Sequence, residues 1–355
     1  MANLDLTNLV RPNVKSLKAY HVDNHDCKIK LHANENPFQL PHEILDLISA
    51  GFKDFQFNRY PDSSCEQLRK AISNVAGIPQ KNLIVGNGSD ELLQLILQVF
   101  CEPGDAVSFP DPSFAMYQIL IKSMALKPVP FLLNDEWSFK ADSFLKLAKQ
   151  NKTKIVFFSF PNNPTGNCFS KGEIEKILNN FQGIIVLDEA YFDFSQKTFK
   201  NRLTSNNNLI ILRSLSKIGL ASLRVGFAAA APLIIQELNK VRLPYNSNSV
   251  SQMVAIKVLS RFNLIQKQIN LIIQERKNLF AALSKLNEIK VFPSDSNFLL
   301  FKTSQGSSEL FQKLAKKGIL LRDLSSHPKL KNYLRVTIGT PDENSKFLYE
   351  MKKII

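Results

Sequence analysis

Four short strings in this chain set reactive or ion-binding side chains where chemistry could be done. Arg213-Ser214-Leu215-Ser216-Lys217 places a lysine among hydroxyls and apolar residues. Such surroundings can lower an amine's pKa and make it a nucleophile, although a lone lysine is ordinarily a surface charge. Arg224 follows seven residues later. Asp188-Glu189-Ala190-Tyr191 comes straight after an apolar run. A carboxylate at the end of a buried strand is costly to desolvate unless a cation or hydrogen-bond donors meet it, and a structural ion pair would serve equally. Gly86-Asn87-Gly88-Ser89-Asp90-Glu91 leads from a strand into a helix whose first N–H groups can bind an anion along the helix dipole. It is neither a P-loop ending in GK[ST] nor GxGxxG, and it could equally be a turn with Ser89 as the helix cap. Phe160-Pro161-Asn162-Asn163-Pro164-Thr165-Gly166 is a turn-rich string that carries asparagine side chains.

Each string ends a run that reads as a strand. Apolar stretches rich in Val, Ile and Phe at 83–85, 106–109, 154–160, 184–187, 209–212 and 225–229 mostly lack period-two alternation. That is the pattern of strands covered on both faces. Helical stretches at 90–100 and 171–180 lie between them, so the expected class is α/β, with a mostly parallel sheet flanked by helices. Ligands in such sheets gather at the carboxyl ends of the strands, where the four strings fall. After Pro244 the character changes to one long helical stretch at 251–286, a strand at 297–301, a helix near 310–317 and a strand at 333–338. The expected division is an N-terminal arm over 1–35 that packs with the small domain and a dimer partner, a large domain over 36–245, and a smaller α+β domain over 246–355.

Composition narrows the partners. The 355 residues carry 45 Lys+Arg against 31 Asp+Glu, a formal charge of +14. The basic residues are scattered, with nothing longer than doublets and no aromatic-interleaved basic motif, so nucleic-acid binding is not expected. The four cysteines form no CxxC pair and the histidines no ligand-spaced cluster, which argues against a disulfide scaffold or a metal site. No apolar stretch approaches the roughly 18 residues of a membrane helix, and the first thirty residues lack a secretory h-region. A soluble, cytoplasmic protein is expected.

Taken in order, the strings supply an anion-binding helix start, an asparagine, a strand-end carboxylate with a tyrosine three residues on, a lysine and an arginine. A pyridoxal phosphate site needs this set. An amine forms the Schiff base, an acid keeps the pyridine nitrogen protonated, donors tune the phenolic oxygen, and cations with N–H groups hold the phosphate. Together with 11–20, 31–37, Arg59-Tyr60-Pro61-Asp62 and 333–340, these residues make the chain resemble the fold-type I, aspartate-aminotransferase-like pyridoxal phosphate enzymes over essentially its whole length. The strings Asn34-Glu35-Asn36-Pro37 and 334–340 are similar to those of the histidinol-phosphate aminotransferase branch.

The resemblance implies roles residue by residue. Lys217 would bond the cofactor and shuttle the proton, Asp188 would pair with the pyridinium nitrogen, and Asn163 and Tyr191 would meet the phenolic oxygen. Phe114 would stack on the ring, where many relatives have Tyr. Ser89, Asp90, Ser214, Ser216 and Arg224 would hold the phosphate. Many relatives have one more residue between the lysine and this arginine, so the turn must tighten at Gly219. Tyr60 would reach the phosphate of the neighbouring subunit, making a homodimer the active form. Arg335 matches the arginine that grips the glutamate carboxylate or the anionic end of the other substrate. Tyr20 and Arg322 match residues near the substrate phosphate, though each could be structural, and Asn34 lies on the same substrate side. The implied activity is ping-pong transamination of L-histidinol phosphate and 2-oxoglutarate to imidazole-acetol phosphate and L-glutamate, a step of histidine biosynthesis. An aromatic amino-acid aminotransferase or a threonine-phosphate decarboxylase would use the same lysine and aspartate. A non-enzymatic regulator of this fold would normally carry an added helix-turn-helix domain, for which no segment is seen.

Overall fold

In the computed structural model, which describes residues 6–19, 25–304 and 306–355, the strands are β1 (Ile29–Lys30), β2 (Leu83–Asn87), β3 (Ala106–Asp111), β4 (Lys127–Leu132), β5 (Thr153–Ser159), β6 (Ile184–Asp188), β7 (Leu209–Ser214), β8 (Val225–Ala230), β9 (Ile289–Val291), β10 (Phe298–Thr303), β11 (Ile319–Leu320), β12 (Arg322–Asp323) and β13 (Tyr333–Thr337). Seven of them form one sheet in the order β2-β8-β7-β6-β5-β3-β4. Only β8 runs against its neighbours, pairing antiparallel with both β2 and β7. The consequence is local and functional. A strand that runs backwards begins where the others end, so Arg224, just before β8, arrives at the same edge as Asn87, Asp188 and Ser214. The register fixes this, with Asn87 opposite Val225 and Ser214 opposite Gly226.

The apolar runs lack alternation because both faces of the sheet are covered. On one face Val186, Ile210, Leu212 and Ala228 pack with residues of the helices Ser89–Phe100, Ala115–Ser123 and Pro232–Val241. On the other, Ile185, Leu187, Ile211 and Ala229 join an apolar cluster that continues into the C-terminal part of the chain. These strand residues are fully buried, and the sheet is held chiefly by that burial.

The C-terminal part holds the antiparallel sheet β12-β13-β10-β9. The expected single helical stretch at 251–286 is two helices, Ser249–Leu259 and Phe262–Leu283. The apolar spacing carries through the junction, but the Ser260 hydroxyl donates to the Lys257 carbonyl at 2.7 Å and the chain turns at Arg261. Near the other terminus, β1 pairs with β11, Leu31 N–H donates to the Leu320 carbonyl, and Thr337 N–H donates to the Leu31 carbonyl. The segment carrying His32, Asn34 and Glu35 is thereby laid across the small sheet and into the cleft facing the large one.

Candidate active site

The large-sheet edge and the small sheet enclose a cavity of about 1110 Å³. Every site residue expected from the sequence lines it except Tyr20 and Tyr60. Tyr20 lies outside the described residues. Tyr60 is 81% exposed, away from the cavity, with its ring stacked on Tyr245 at 4.5 Å.

At one end is an anion cup. Gly88 caps the helix Ser89–Phe100 at φ +81°, and no side chain among the described residues caps the helix start. Those N–H groups therefore point into the cup with the positive end of the helix dipole behind them. A Cβ on Gly226 would sit 2.6 Å from the Ser89 nitrogen and 2.7 Å from the Gly88 carbonyl carbon, so only glycine lets β8 come this close to the helix start. Arg224 completes the cup from a left-handed backbone position at φ +52°. Its guanidinium donates to Asp90 Oδ2 at 3.3 Å and to Ser216 Oγ at 3.3 Å. The short loop does tighten at Gly219, with φ +109°, between two turns of 3-10 helix. Ser214 Oγ accepts from Ser216 N–H at 3.2 Å, which holds the Ser214 hydroxyl at the rim, while the Ser216 hydroxyl is held by Arg224.

Lys217 leaves that turn half-buried, with Nζ 3.4 Å from the Ala33 carbonyl. Burial, and then the nearby Arg335 charge, pull its amine down to about 8. Asp188, at the end of β6, is buried, and burial pushes its carboxyl up to about 6. Two donors hold the ionised form: the Tyr117 hydroxyl at 2.9 Å and Ala190 N–H at 3.1 Å. Tyr117 was not expected from the sequence. It lies one helical turn beyond Phe114, reads as part of the apolar face of its helix, and is fully buried. The one available signal is that a buried phenol must find a partner.

The opposite wall gathers positive charge in a different way. Arg322 and Arg335 are direct cross-strand neighbours on β12 and β13, so two guanidiniums share one face of the small sheet. Like charges so placed repel unless an anion or other acceptors meet them. Arg335 donates to Asn163 Oδ1 at 2.6 Å and to the His32 carbonyl at 2.7 Å. The first of these contacts ties the small sheet to the turn after β5. Asn34 Nδ2 donates to the Tyr191 hydroxyl at 2.9 Å and its Oδ1 accepts from Thr337, which orients the Tyr191 ring and the Asn34 amide in the cavity.

The residues present fit pyridoxal phosphate. A cup whose close backbone approach only glycine at 226 permits, a buried carboxylate held ionised by donors, and an amine of lowered pKa share one cavity in which Phe114 offers an aromatic face. One further network adjoins the site. Glu189, buried, accepts from Arg213 at 2.9 Å, from Thr198 at 2.8 Å and from Phe199 N–H at 3.0 Å. Arg213 also stacks 3.5 Å over Phe192. No helix among the described residues is long and apolar enough to cross a membrane.

Comparison with known proteins agrees with this geometry. The family model for aminotransferase class I and II matches residues 26–350. A histidinol-phosphate aminotransferase of Thermoanaerobacter sp. is 40% identical over 351 residues, 99% of each chain. The crystal structure of the histidinol-phosphate aminotransferase from Clostridium acetobutylicum superposes with a TM-score of 0.84 at 25% identity, covering 92% of this chain and 98% of that one. That from Sinorhizobium meliloti, in complex with pyridoxal-5'-phosphate, shares the fold with a TM-score of 0.84 at 19% identity and 98% coverage of both. Matched by the family model over nearly its whole length and by a full-length relative at 40% identity, the chain belongs to the class I and II aminotransferases.

Proposed function

We propose that this protein is a pyridoxal phosphate-dependent transaminase that interconverts L-histidinol phosphate plus 2-oxoglutarate with imidazole-acetol phosphate plus L-glutamate. The observation that carries the reading is one cavity with a fit for the cofactor at one wall and the Arg322–Arg335 pair at the other, in a chain 40% identical to a histidinol-phosphate aminotransferase. When bound, the cofactor supplies an electron sink for the pair left as the substrate's Cα–H bond breaks.

The chain's own residues do the rest. The helix start at Ser89 and Asp90, with Ser214, Ser216 and Arg224, would hold the cofactor phosphate. Asp188 would meet the pyridine N–H, Asn163 and Tyr191 the phenolic oxygen, and Phe114 the ring face. Lys217 would hold the cofactor and then carry the proton on Nζ, which an amine poised near pH 8 does readily. Arg335 would grip the carboxylate of glutamate and, with Arg322, the phosphate of the other substrate; Asn34 orients Tyr191 beside them. Tyr20 would approach the same phosphate.

A second copy of the chain belongs to the proposal. Tyr60, Phe57 and Leu243 are large apolar side chains left exposed, and Tyr60 is stacked on Tyr245, which supports a homodimer in which Tyr60 reaches the partner's cup. We place the arm at 1–35, the large domain at 36–245, the small domain at 246–355 and the enzyme in the cytoplasm. The test is turnover by the purified protein. L-Histidinol phosphate with 2-oxoglutarate should give glutamate, phenylalanine should react far more slowly, threonine phosphate should release no carbon dioxide, and Lys217→Ala should be inactive. Equal turnover of phenylalanine, or a Lys217→Ala variant at the wild-type rate, would sink the reading.

A further inference from the structure

Two histidines line the cavity, and they differ in commitment. His327 is engaged on both nitrogens, Nε2 with Asp111 at 2.9 Å and Nδ1 accepting from Lys329 N–H at 3.2 Å. His32 is not. Its backbone is pinned, since the carbonyl accepts from Arg335 and flanking residues bond to Leu320 and Thr337, yet its Nδ1 is buried with no hydrogen-bond partner among the described residues. The ring stands half-buried on the wall shared with the Arg322–Arg335 cross-strand pair. A rigidly held backbone with an uncommitted ring beside two fixed cations has no evident structural purpose.

We propose that His32 is the residue by which this site prefers a phosphate monoester to a carboxylate: its ring takes up a proton from solvent when a doubly charged phosphate seats against Arg322 and Arg335, and stays neutral when a singly charged carboxylate seats there. The inference rests on the transamination proposed above. Its physical basis is charge matching. A phosphate monoester carries close to two negative charges above pH 7, and guanidiniums cannot adjust their charge to it. Imidazole is the side chain that can. In the protein alone, burial together with Arg322, Arg335 and Lys30 holds the His32 ring below the usual imidazole range, against the pull of Glu35 in its own segment. A dianion between the arginines reverses the sign of the field from that wall and raises the ring's proton affinity. The proton is returned to solvent when the phosphate leaves.

Calorimetric titration of the holoenzyme with propyl phosphate tests this, because that probe bears the phosphate but no amine and the cofactor already fills the other anion cup. At pH 7.5, repeating the titration in two buffers of different ionisation enthalpy counts the protons. Wild type should take up at least about half a proton per site on binding propyl phosphate. His32→Asn and His32→Gln, which keep a polar side chain without the charge, should take up none. In turnover, the ratio of kcat/KM for histidinol phosphate over phenylalanine should fall about tenfold in both variants, the scale of one charge-assisted hydrogen bond. Equal proton uptake in wild type and variants, or an unchanged ratio, overturns the role of His32 while leaving the transaminase reading intact. Failure of wild type to bind propyl phosphate or to turn over histidinol phosphate overturns both.

Discussion

Tyr117→Phe isolates one hydrogen bond at the centre of the site. The ring stays, so packing against Phe157, stacked at 5.0 Å, and Phe114, edge-on at 5.6 Å, is kept. What goes is the donor 2.9 Å from Asp188 Oδ2, leaving Ala190 N–H on the other oxygen. A hydrogen bond to a charged group is worth about 1.5–3 kcal/mol, or about one to two pK units. The carboxyl, at about 6 in the wild type, should therefore rise to about 7–8 in the variant. The sign follows from which form binds. Only ionised Asp188 can pair with a protonated pyridine nitrogen, and a neutral carboxyl must lose its proton first. The proton costs affinity in proportion to the fraction of cofactor-free protein that holds it. Linkage then makes cofactor binding about two- to tenfold weaker than wild type at pH 7 and about five- to fiftyfold weaker at pH 6, with no difference at pH 9, where both carboxyls are ionised. The assay is the cofactor dissociation constant of apo-protein, read from the visible absorbance of the bound cofactor at these three pH values. An affinity ratio that does not change with pH would show that Tyr117 only fills space.

Three further outcomes follow from the same geometry. Labelling of Lys217 by an amine-selective reagent in apo-protein, followed by mass spectrometry of its peptide, should rise through about pH 8, where burial and Arg335 hold the amine, and not through the 10.4 or so of a free lysine. Gly226→Ala should keep the far-ultraviolet circular dichroism of the fold but weaken cofactor binding at least about tenfold, because the new methyl meets the Ser89 and Gly88 backbone and not a movable side chain. Wild-type affinity in that variant would mean the cup has slack. Glu189→Ala leaves the buried Arg213 guanidinium without its carboxylate and should cost about 3–5 kcal/mol in denaturant unfolding, while Arg213→Met with Glu189→Leu should recover part of it.

Much of this was legible in the chain because the chemistry sits at strand ends. Apolar runs without alternation announce a covered sheet, and the residue after each run must then face the edge where ligands gather. That reasoning reaches Asp188, Lys217 and Ser89 with no structure. It does not reach the reversal of β8, since an antiparallel strand buried on both faces reads like a parallel one, and so it cannot say why Arg224 shares an edge with Ser214. Nor does it find the break at Ser260, where apolar spacing continues across a chain that turns. Tyr117 and His32 escaped for a different reason. Each has a position set by its own segment and a role set by a side chain far off in sequence, Asp188 for the one and Arg322 with Arg335 for the other.

The strand ends also show how one sheet edge serves two purposes at once. Successive residues of a strand face opposite ways. At the end of β6, Asp188 turns toward Tyr117 and the cavity, while Glu189, next in the chain, turns away to Arg213 and Thr198. At the end of β7 the same alternation sends Ser214 to the cup and Arg213 to Glu189. The buried ion pair therefore ties together two neighbouring strand ends whose other members hold reactive groups, and the remaining acceptors on Glu189 are taken by Thr198 and the Phe199 N–H. A pair so enclosed contributes little net stability against an apolar replacement, so the question it poses is whether it sets the register between the ends of β6 and β7. The double replacement of Arg213 and Glu189 separates these contributions. If stability returns while cofactor affinity stays low, the pair serves to place Asp188 and Ser214; if both return together, burial alone sets that register.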